Sequence, residues 1–502
     1  MFTTVKKPWI GATAIFAAAA VTLSGCAGGF DDESAEVTSI TVALTAEPAT
    51  LDPLFDTNLA ALNVFYNIYD QLTTIDETGA VVPRLATEWT SNDTLTEWVF
   101  TMRDDAEFSD GTPVTASDVV FTYETAMADE TSNLGGYMTT IDTVVATGDY
   151  EVTFTLNTPF APFDRQATLV PIIPEAAYTE MGAEAFADAP IGSGPYNVEE
   201  WVKGDTITLT RDDDYWGNPG DFETVVFTPV PDETTRANSV QSGDLDIALL
   251  GPSQVSSVES SGSVDVIEQQ SNRVVYAGFN AGTKWLDDVN IRKAVDLAID
   301  RVAISDDLLN GSVEPTAQLV APASFGYDSS IAATTYDAAE AAALVEASGY
   351  DGTPITLSYP TTGLPQIDQL AQAVASYLEE AGLTVTLDGQ EAGTYSGNWF
   401  AGSLPGVYLF AFAPSVMDAN LPLTMLTATG GQGYFSSPEI DQLLTDQIGE
   451  PDADARAADI AAISAIVNEN TTYAPLFTDT YTFASKKGLD WTPRPDGFFI
   501  FN

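Results

Sequence analysis

The segment from 355 to 390 constrains the fold more than any other part of this chain. "ITLSYPTT" reads as a strand, "IDQLAQAVASYLEEAG" as a helix and "LTVTLDGQ" as a second strand. That succession is a βαβ unit, which requires a parallel sheet with helices packed on it. The fold class is therefore α/β. The same alternation of periods recurs elsewhere. "TSITVAL", from Thr38, alternates as a strand, and "NLAALNVFYNIYDQL" sets Leu59, Leu62, Phe65/Tyr66 and Tyr69 at helical spacing. Thr115 stands three residues before Asp118, a capping-box start for the helix that follows. "DTVVATGDYEVTFTLNTPF" reads as two strands around Gly148-Asp149, and a hairpin turns at Lys203-Gly204-Asp205. "VNIRKAVDLAIDRVAISDDLL" reads as one amphipathic helix with Ile291, Val295, Ile299 and Val302 on its apolar stripe.

With 502 residues the chain has material for two to four domains. Its 73 acidic and 17 basic residues leave a net charge of −56. Nucleic acid is bound by Lys and Arg neutralising phosphate, so this field excludes it as a partner and repels anionic membrane surfaces. Solubility accounts for such a charge, and so does a salt-rich habitat, where screening relieves self-repulsion. Histidine is absent and cysteine occurs once. That removes Ser-His-Asp and Cys-His catalysis, His-based zinc sites and any internal disulfide. A hydrolase working with paired carboxylates passes this filter. No cofactor is called for.

The single cysteine lies near the start of the chain. Lys6 and Lys7 form a basic region, "IGATAIFAAAAVTL" is uncharged, and Leu23-Ser24-Gly25-Cys26 follows. The apolar run is shorter than the ~20 residues of a membrane span and suits a signal peptide. The last four residues resemble a bacterial lipobox, in which the thiol receives diacylglycerol and the peptide is cut before it. Residues 1–25 are thus expected to be a lipoprotein signal peptide, Cys26 the lipidation site, and 26–37 a flexible tether rich in Gly and acid.

Beyond the tether, motifs occur in a definite order. Leu51-Asp52-Pro53 is followed by "PRLATEWT" and by "WVFTMRDDAEFSDGTPVTASDVVFTYE". Then come "GSGPYNVEEW", "RDDDYWGN", "QSGDLDIA" and "FNAGTKWLDDVNIRKAVDLAIDR". In this order they resemble the extracellular solute-binding proteins of ABC importers, the family 5 class that serves dipeptide, oligopeptide and nickel uptake. The resemblance runs from about Ile40 to Asn502. It implies a two-lobe periplasmic-binding-protein-like (type II) fold with an additional accessory lobe. Lobe I would take 38–80, 190–270 and 478–502, the accessory lobe 81–189, and lobe II 271–477. Strands crossing near 270–275 and 477–482 would form the hinge. Gly192-Ser193-Gly194-Pro195 would mark the return to lobe I, or be only a tight turn. "RDDDYWG" lacks the spacing and the Glu of a calcium loop.

The resemblance also implies a ligand site. One wall is the stretch after Leu-Asp-Pro, with Asp56, Thr57, Asn58 and Leu59. The other comes from about 391–420. Peptide-binding members carry a Trp-x-x-Asp motif there, whose carboxylate meets the peptide ammonium. Here Phe410 stands at the Trp position and Ala413 at the Asp position, with Asp418 the nearest acid. Either Asp418 substitutes or no ammonium is bound. No Lys or Arg lies between Arg301 and Arg456, which disfavours a peptide held at both ends. Tyr395, Trp399, Phe410 and Phe412 are left as candidate contacts, suited to an uncharged peptide backbone or to a sugar. Trp399→Ala and Phe410→Ala are expected to weaken binding without unfolding the protein.

The functional expectation is a lipid-anchored, monomeric receptor on the outer face of the bacterial cell membrane. It would capture a peptide-like solute, or alternatively an oligosaccharide, and pass it to an ABC permease and its ATPase. A secreted carboxylate hydrolase and a surface lipoprotein of structural role are the other readings. Cys26→Ser is expected to abolish lipidation and release the protein from membranes without changing ligand affinity. Fractionation with a lipid label checks this, and a lipid-held mutant would refute it.

Overall fold

The computed structural model describes residues 38–435 and 437–501, so the segments read as signal peptide and tether, Cys26 included, lie outside the described residues. One sheet organises the rest. Its strands are β1 (Ser39–Leu44), β2 (Tyr196–Val202), β3 (Thr206–Arg211), β4 (Thr224–Pro229), β5 (Ile247–Leu249), β6 (Val264–Phe279), β7 (Glu314–Pro315), β8 (Ile355–Pro360), β9 (Val385–Gln390), β10 (Val407–Phe412) and β11 (Tyr473–Lys486). Their spatial order is β9-β8-β10-β6-β11-β5-β1-β4-β3-β2, with β7 paired to β11.

Two parallel groups sit in this sheet. β1 runs parallel to β4 and β5, and β8 runs parallel to β9 and β10. The second group contains the βαβ unit: the Ile367–Glu380 helix crosses from β8 to β9 and buries Leu370, Ala371, Val374 and Leu378. The first group reads as a near-continuous apolar run because both faces are covered, and Ile40, Val42, Ala43 and Leu44 are all buried.

The long antiparallel strands β6 and β11 join the two groups. They pair from Val264 opposite Lys486 to Gly278 opposite Tyr473, and β6 carries β10 on its second half. The ladder slips twice, between Gln270 and Val274 and between Val275 and Tyr276. At the first slip, Asn272 ties the chain in two directions. Its N–H donates to Pro495 O at 3.0 Å and its Nδ2 to Pro414 O at 2.9 Å.

A separate four-stranded antiparallel sheet is built from Ala86–Ser91, Glu97–Met102, Glu151–Leu156 and Ile141–Gly148. It carries the Ala116–Ala128 helix, whose start is closed by Thr115 N–H on Asp118 Oδ2 at 2.9 Å. Phe100, Phe154 and Phe163 form its aromatic centre, with Phe154 and Phe163 ring centroids 5.0 Å apart. Hydrogen bonds tie this region to the β1 side. Asp52 of the Leu-Asp-Pro motif accepts Tyr178 O–H at 2.7 Å, and Ser132 O–H donates to Leu54 O at 2.8 Å.

Several motifs prove to be ties of this kind. In "RDDDYWG", Tyr215 O–H and Trp216 Nε1–H donate to the buried Asp70 at 3.0 and 3.1 Å, and Arg84 Nε adds a third donor at 2.6 Å. The glycines of Gly192-Ser193-Gly194 answer a close approach. A Cβ on Gly192 would lie 1.8 Å from Ile68 O, and one on Gly194 2.6 Å from Ile68 C. The segment crosses the end of the Leu59–Ile68 helix, and Gly194 N–H donates to Ile68 O.

The expected single helix from 289 is broken. Val289–Ala298 ends at Ile299, and Asp300 caps a new start by accepting Ala303 N–H at 2.9 Å. Arg301 turns back onto Pro475 O and Asp296 O. The break takes Val302 off the apolar stripe and leaves it 60% exposed.

None of the chain's arginines is exposed, whereas Lys203, Lys284, Lys486 and Lys487 are. Arginine serves as interior cross-link, and the surface keeps the acids with few cations among them. Raising ionic strength from about 0.01 M to about 1 M shortens the Debye length from ~30 to ~3 Å. The melting temperature is therefore expected to rise with added NaCl. Calorimetry over that range checks this, and a falling melting temperature would mean that attractive surface pairs dominate.

Candidate functional site

In open α/β sheets, ligands bind beyond the carboxyl ends of the parallel strands. Here those ends of the two parallel groups border one cleft of about 510 Å³. Thr45 follows β1, Pro231 follows β4 and Leu250 follows β5 on one wall. Gly363, Leu364 and Pro365, just past β8, form the other with Leu309, Asn310 and Ser312. The floor is the crossing pair itself, through Arg273 on β6 and Asp479 to Thr482 on β11. The volume falls within the ~300–1,000 Å³ usual for small-molecule sites.

Arg273 and Asp479 pair across the floor, with Nε and Nη2 both on Oδ2. Arg273 Nη1 donates to Gly363 O at 3.1 Å, joining the floor to the second wall. Burial works against the guanidinium charge, but Asp479 and Tyr481 outweigh it and hold the pKa above the ordinary arginine value. Arg236, on the Glu233–Ser242 helix, lines the first wall and is 4% exposed. Its Nε donates to Leu249 O at 2.9 Å, and its Nη1 to Val230 O and Pro231 O at 2.8 and 2.9 Å. Burial lowers its pKa, with Glu233 and Asp232 opposing.

The residues expected from sequence are distributed differently. Leu59 lines the cleft and is 36% exposed. Thr57 is half-buried and Asn58 exposed, and neither lines the cleft. Asp56 is buried and spent on its own loop, accepting Ala49 N–H at 2.8 Å and Asn58 Nδ2–H at 2.7 Å. Tyr395 is a core residue, its O–H donating to Leu409 O at 2.7 Å. Trp399 is 3% exposed and stacks on Phe410 with centroids 4.2 Å apart and planes 3° from parallel. Phe412 is half-buried and Ala413, just past β10, is exposed. None of the residues from 395 to 413 named here borders the cleft, where Tyr481 is the aromatic side chain.

Asp418 is 0% exposed and does not offer its carboxylate to the cleft. Arg456 grips it with two bonds, Nη1 to Oδ2 at 2.9 Å and Nη2 to Oδ1 at 2.6 Å. Asn420 N–H donates at 2.8 Å and Arg165 Nε lies 3.8 Å away. Two cations already neutralise it, so the substitution of Asp418 for an ammonium-binding Asp loses its basis. Two arginines do line the cleft, Arg236 and Arg273, both from outside the 302–455 span. Their places in "DETTRANS" and "QQSNRVVY" carry no distinctive spacing, and only the sheet order brings them to one cleft.

Residues 80–434 match the profile of the bacterial extracellular solute-binding proteins, family 5, middle region. The chain belongs to that family. It is 26% identical over 490 residues to the probable D,D-dipeptide-binding periplasmic protein DdpA of Escherichia coli (strain K12), covering 92% of this chain and 93% of DdpA. It is 28% identical over 472 residues to the periplasmic murein peptide-binding protein MppA of the same organism, covering 86% of each. Among solved structures, the unliganded open form of MppA matches with a TM-score of 0.81 at 26% identity, covering 93% and 96%. CtaP of Listeria monocytogenes matches with a TM-score of 0.84 at 23% identity, covering 92% and 98%. The fold is the two-lobe α/β fold of these binding proteins. The family consists of solute-binding proteins rather than enzymes, which disposes of the hydrolase reading.

Two substitutions separate core from site. Trp399→Ala removes a buried ring and is expected to cost about 3–5 kcal/mol of stability. Asp418→Ala strands Arg456 in the interior at a similar cost of about 3–5 kcal/mol. Urea unfolding measures both, and a loss under ~1 kcal/mol in either would show that its surroundings relax around the gap.

Proposed function

We propose that the protein is an extracytoplasmic receptor of an ABC importer that captures a peptide-like solute by closing two lobes on it. The observation that carries this reading is the cleft bordered by strand ends from both parallel groups and floored by the two strands that connect them. A ligand touching both walls stabilises the closed arrangement by its differential contacts. Lobe I is assigned to 38–80, 190–270 and 478–502, lobe II to 271–477 and the accessory lobe to 81–189. The hinge is placed where the β6–β11 ladder slips. The closed, loaded, monomeric receptor then delivers its solute to a permease driven by an ATPase. The lipobox-like sequence supports a diacylglycerol anchor on Cys26, which would keep the receptor near that permease and raise its effective concentration there.

Peptide is preferred over oligosaccharide for two reasons. DdpA and MppA are both named for peptide ligands. The aromatic set that suited a sugar lies away from the cleft, with Tyr395 and Trp399 in the core and Phe410 stacked on Trp399.

A thermal-shift panel tests the reading. Di- to pentapeptides are compared with cello-, xylo- and manno-oligosaccharides. A ligand at 100 times its Kd adds about 2.7 kcal/mol to stability. Peptides are expected to raise the melting temperature. A shift with a glycan alone would overturn the peptide assignment, and turnover of any of these compounds would overturn the receptor role.

A further inference from the structure

Asn310-Gly311 is the one Asn-Gly step in the sequence. The structure gives it a clear local role. Both residues have positive φ, 56° and 75°, and Ser312 N–H donates to Leu309 O at 3.1 Å across them. These are the marks of a type I′ turn, which favours Asn-Gly. The turn closes the π-helical segment Ile304–Leu308 and leads into β7. It also lies on the cleft wall, where Asn310 and Ser312 are lining residues.

The pair has a second, chemical property. The backbone nitrogen that follows an asparagine can attack the side-chain carbonyl, and glycine, lacking Cβ, obstructs that approach least. A Cβ on Gly311 would meet nothing within 4 Å, so the space around this residue is open. Asn310 is exposed, and its carboxamide makes no hydrogen bond among the described residues. Other exposed asparagines differ. The amides of Asn92, Asn133 and Asn157 donate to Thr96 Oγ1, Phe55 O and Thr139 O, and each is followed by a residue with a side chain. One bond restrains the reaction: Gly311 N–H donates to Ser305 O at 2.8 Å. It closes an exposed turn, and such bonds open at far lower free energy than the core.

We propose that Asn310-Gly311 is a self-modifying site on the cleft wall. Gly311 N, having given its proton to solvent base, bonds to Asn310 Cγ. The Cγ–Nδ2 bond breaks, and the leaving nitrogen takes a proton from water and departs as ammonia. The resulting succinimide takes up one water. Opening at the main-chain carbonyl leaves isoaspartate, and opening at Cγ leaves aspartate. Nothing is oxidised or reduced. Either product puts a carboxylate where a neutral amide stood, and isoaspartate also lengthens the backbone of the turn. The modification belongs to the turn itself and does not depend on which solute the cleft takes.

The test incubates the native full chain in mildly alkaline heavy-oxygen water. Its peptides are then mapped by mass spectrometry, with fragmentation that separates isoaspartate from aspartate. Residue 310 is expected to lose ammonia and gain one heavy oxygen ahead of every other asparagine, with isoaspartate among the products. Isoelectric focusing is expected to show a form with one added negative charge. Asn310→Gln keeps an amide at the position but requires a larger ring, and it is expected to remove both signals while its melting curve shows that it folds. An Asn310 that stays intact while other asparagines convert would overturn the proposal. Conversion at 310 in urea but not in the native protein would also overturn it, by showing that the Gly311–Ser305 bond holds the turn shut.

Discussion

Strands β6 and β11 run through both parallel groups of the sheet, and their shared ladder is the constraint on which the remaining architecture depends. Each parallel group needs helices on its faces and can close its own core. The connection between them therefore falls to strands long enough to serve both, 16 residues in β6 and 14 in β11. A regular ladder of that length would be a stiff strut. The two slips between Gln270 and Tyr276 interrupt it beside the cleft, where Arg273 emerges. Extra residues in one strand bend and twist a ladder locally. The same irregularity thus positions a cation on the floor of the cleft.

Charge is divided by location in a way that composition alone conceals. The chain is acidic overall, yet its interior is rich in arginine bound to carboxylates and carbonyls: Arg84 on Asp70, Arg456 on Asp418, Arg292 and Arg301 on backbone oxygen. A planar guanidinium can satisfy several carbonyls at once, which lysine cannot, and this explains why the inner positions are arginine. The surface retains the acids with a few lysines. Folding consequently places like charges near one another outside while using most strong cations inside.

Much of the fold was legible in the sequence. The 355–390 unit, the helix starting at Leu59 and the capping box at Thr115 rest on periodicities that span a whole element. The continuous helix from 289 failed because a side chain, Asp300, competes locally for a backbone N–H, which periodicity does not register. Of the residues expected at the ligand site, Leu59 lines the cleft. Tyr395, Trp399 and Phe410 look alike in sequence whether they face a core or a cleft, and they stack on one another. Asp418 looked free because its partners, Arg165 and Arg456, are distant along the chain. Arg236 and Arg273 reach the cleft from outside the stretch that the family resemblance singled out.

The cleft walls differ in what else they must do. Arg236 is knitted into the ends of β4 and β5, and altering it disturbs three backbone carbonyls. The opposite wall, at Leu309 to Ser312 and Gly363 to Pro365, consists of turns between elements, tied to the floor by Arg273 on Gly363 O. One side of the chamber is fixed by the scaffold and the other is a set of interchangeable linings. Descendants of such a chain can reshape one wall by editing a few turn residues while the opposite wall stays where the sheet put it.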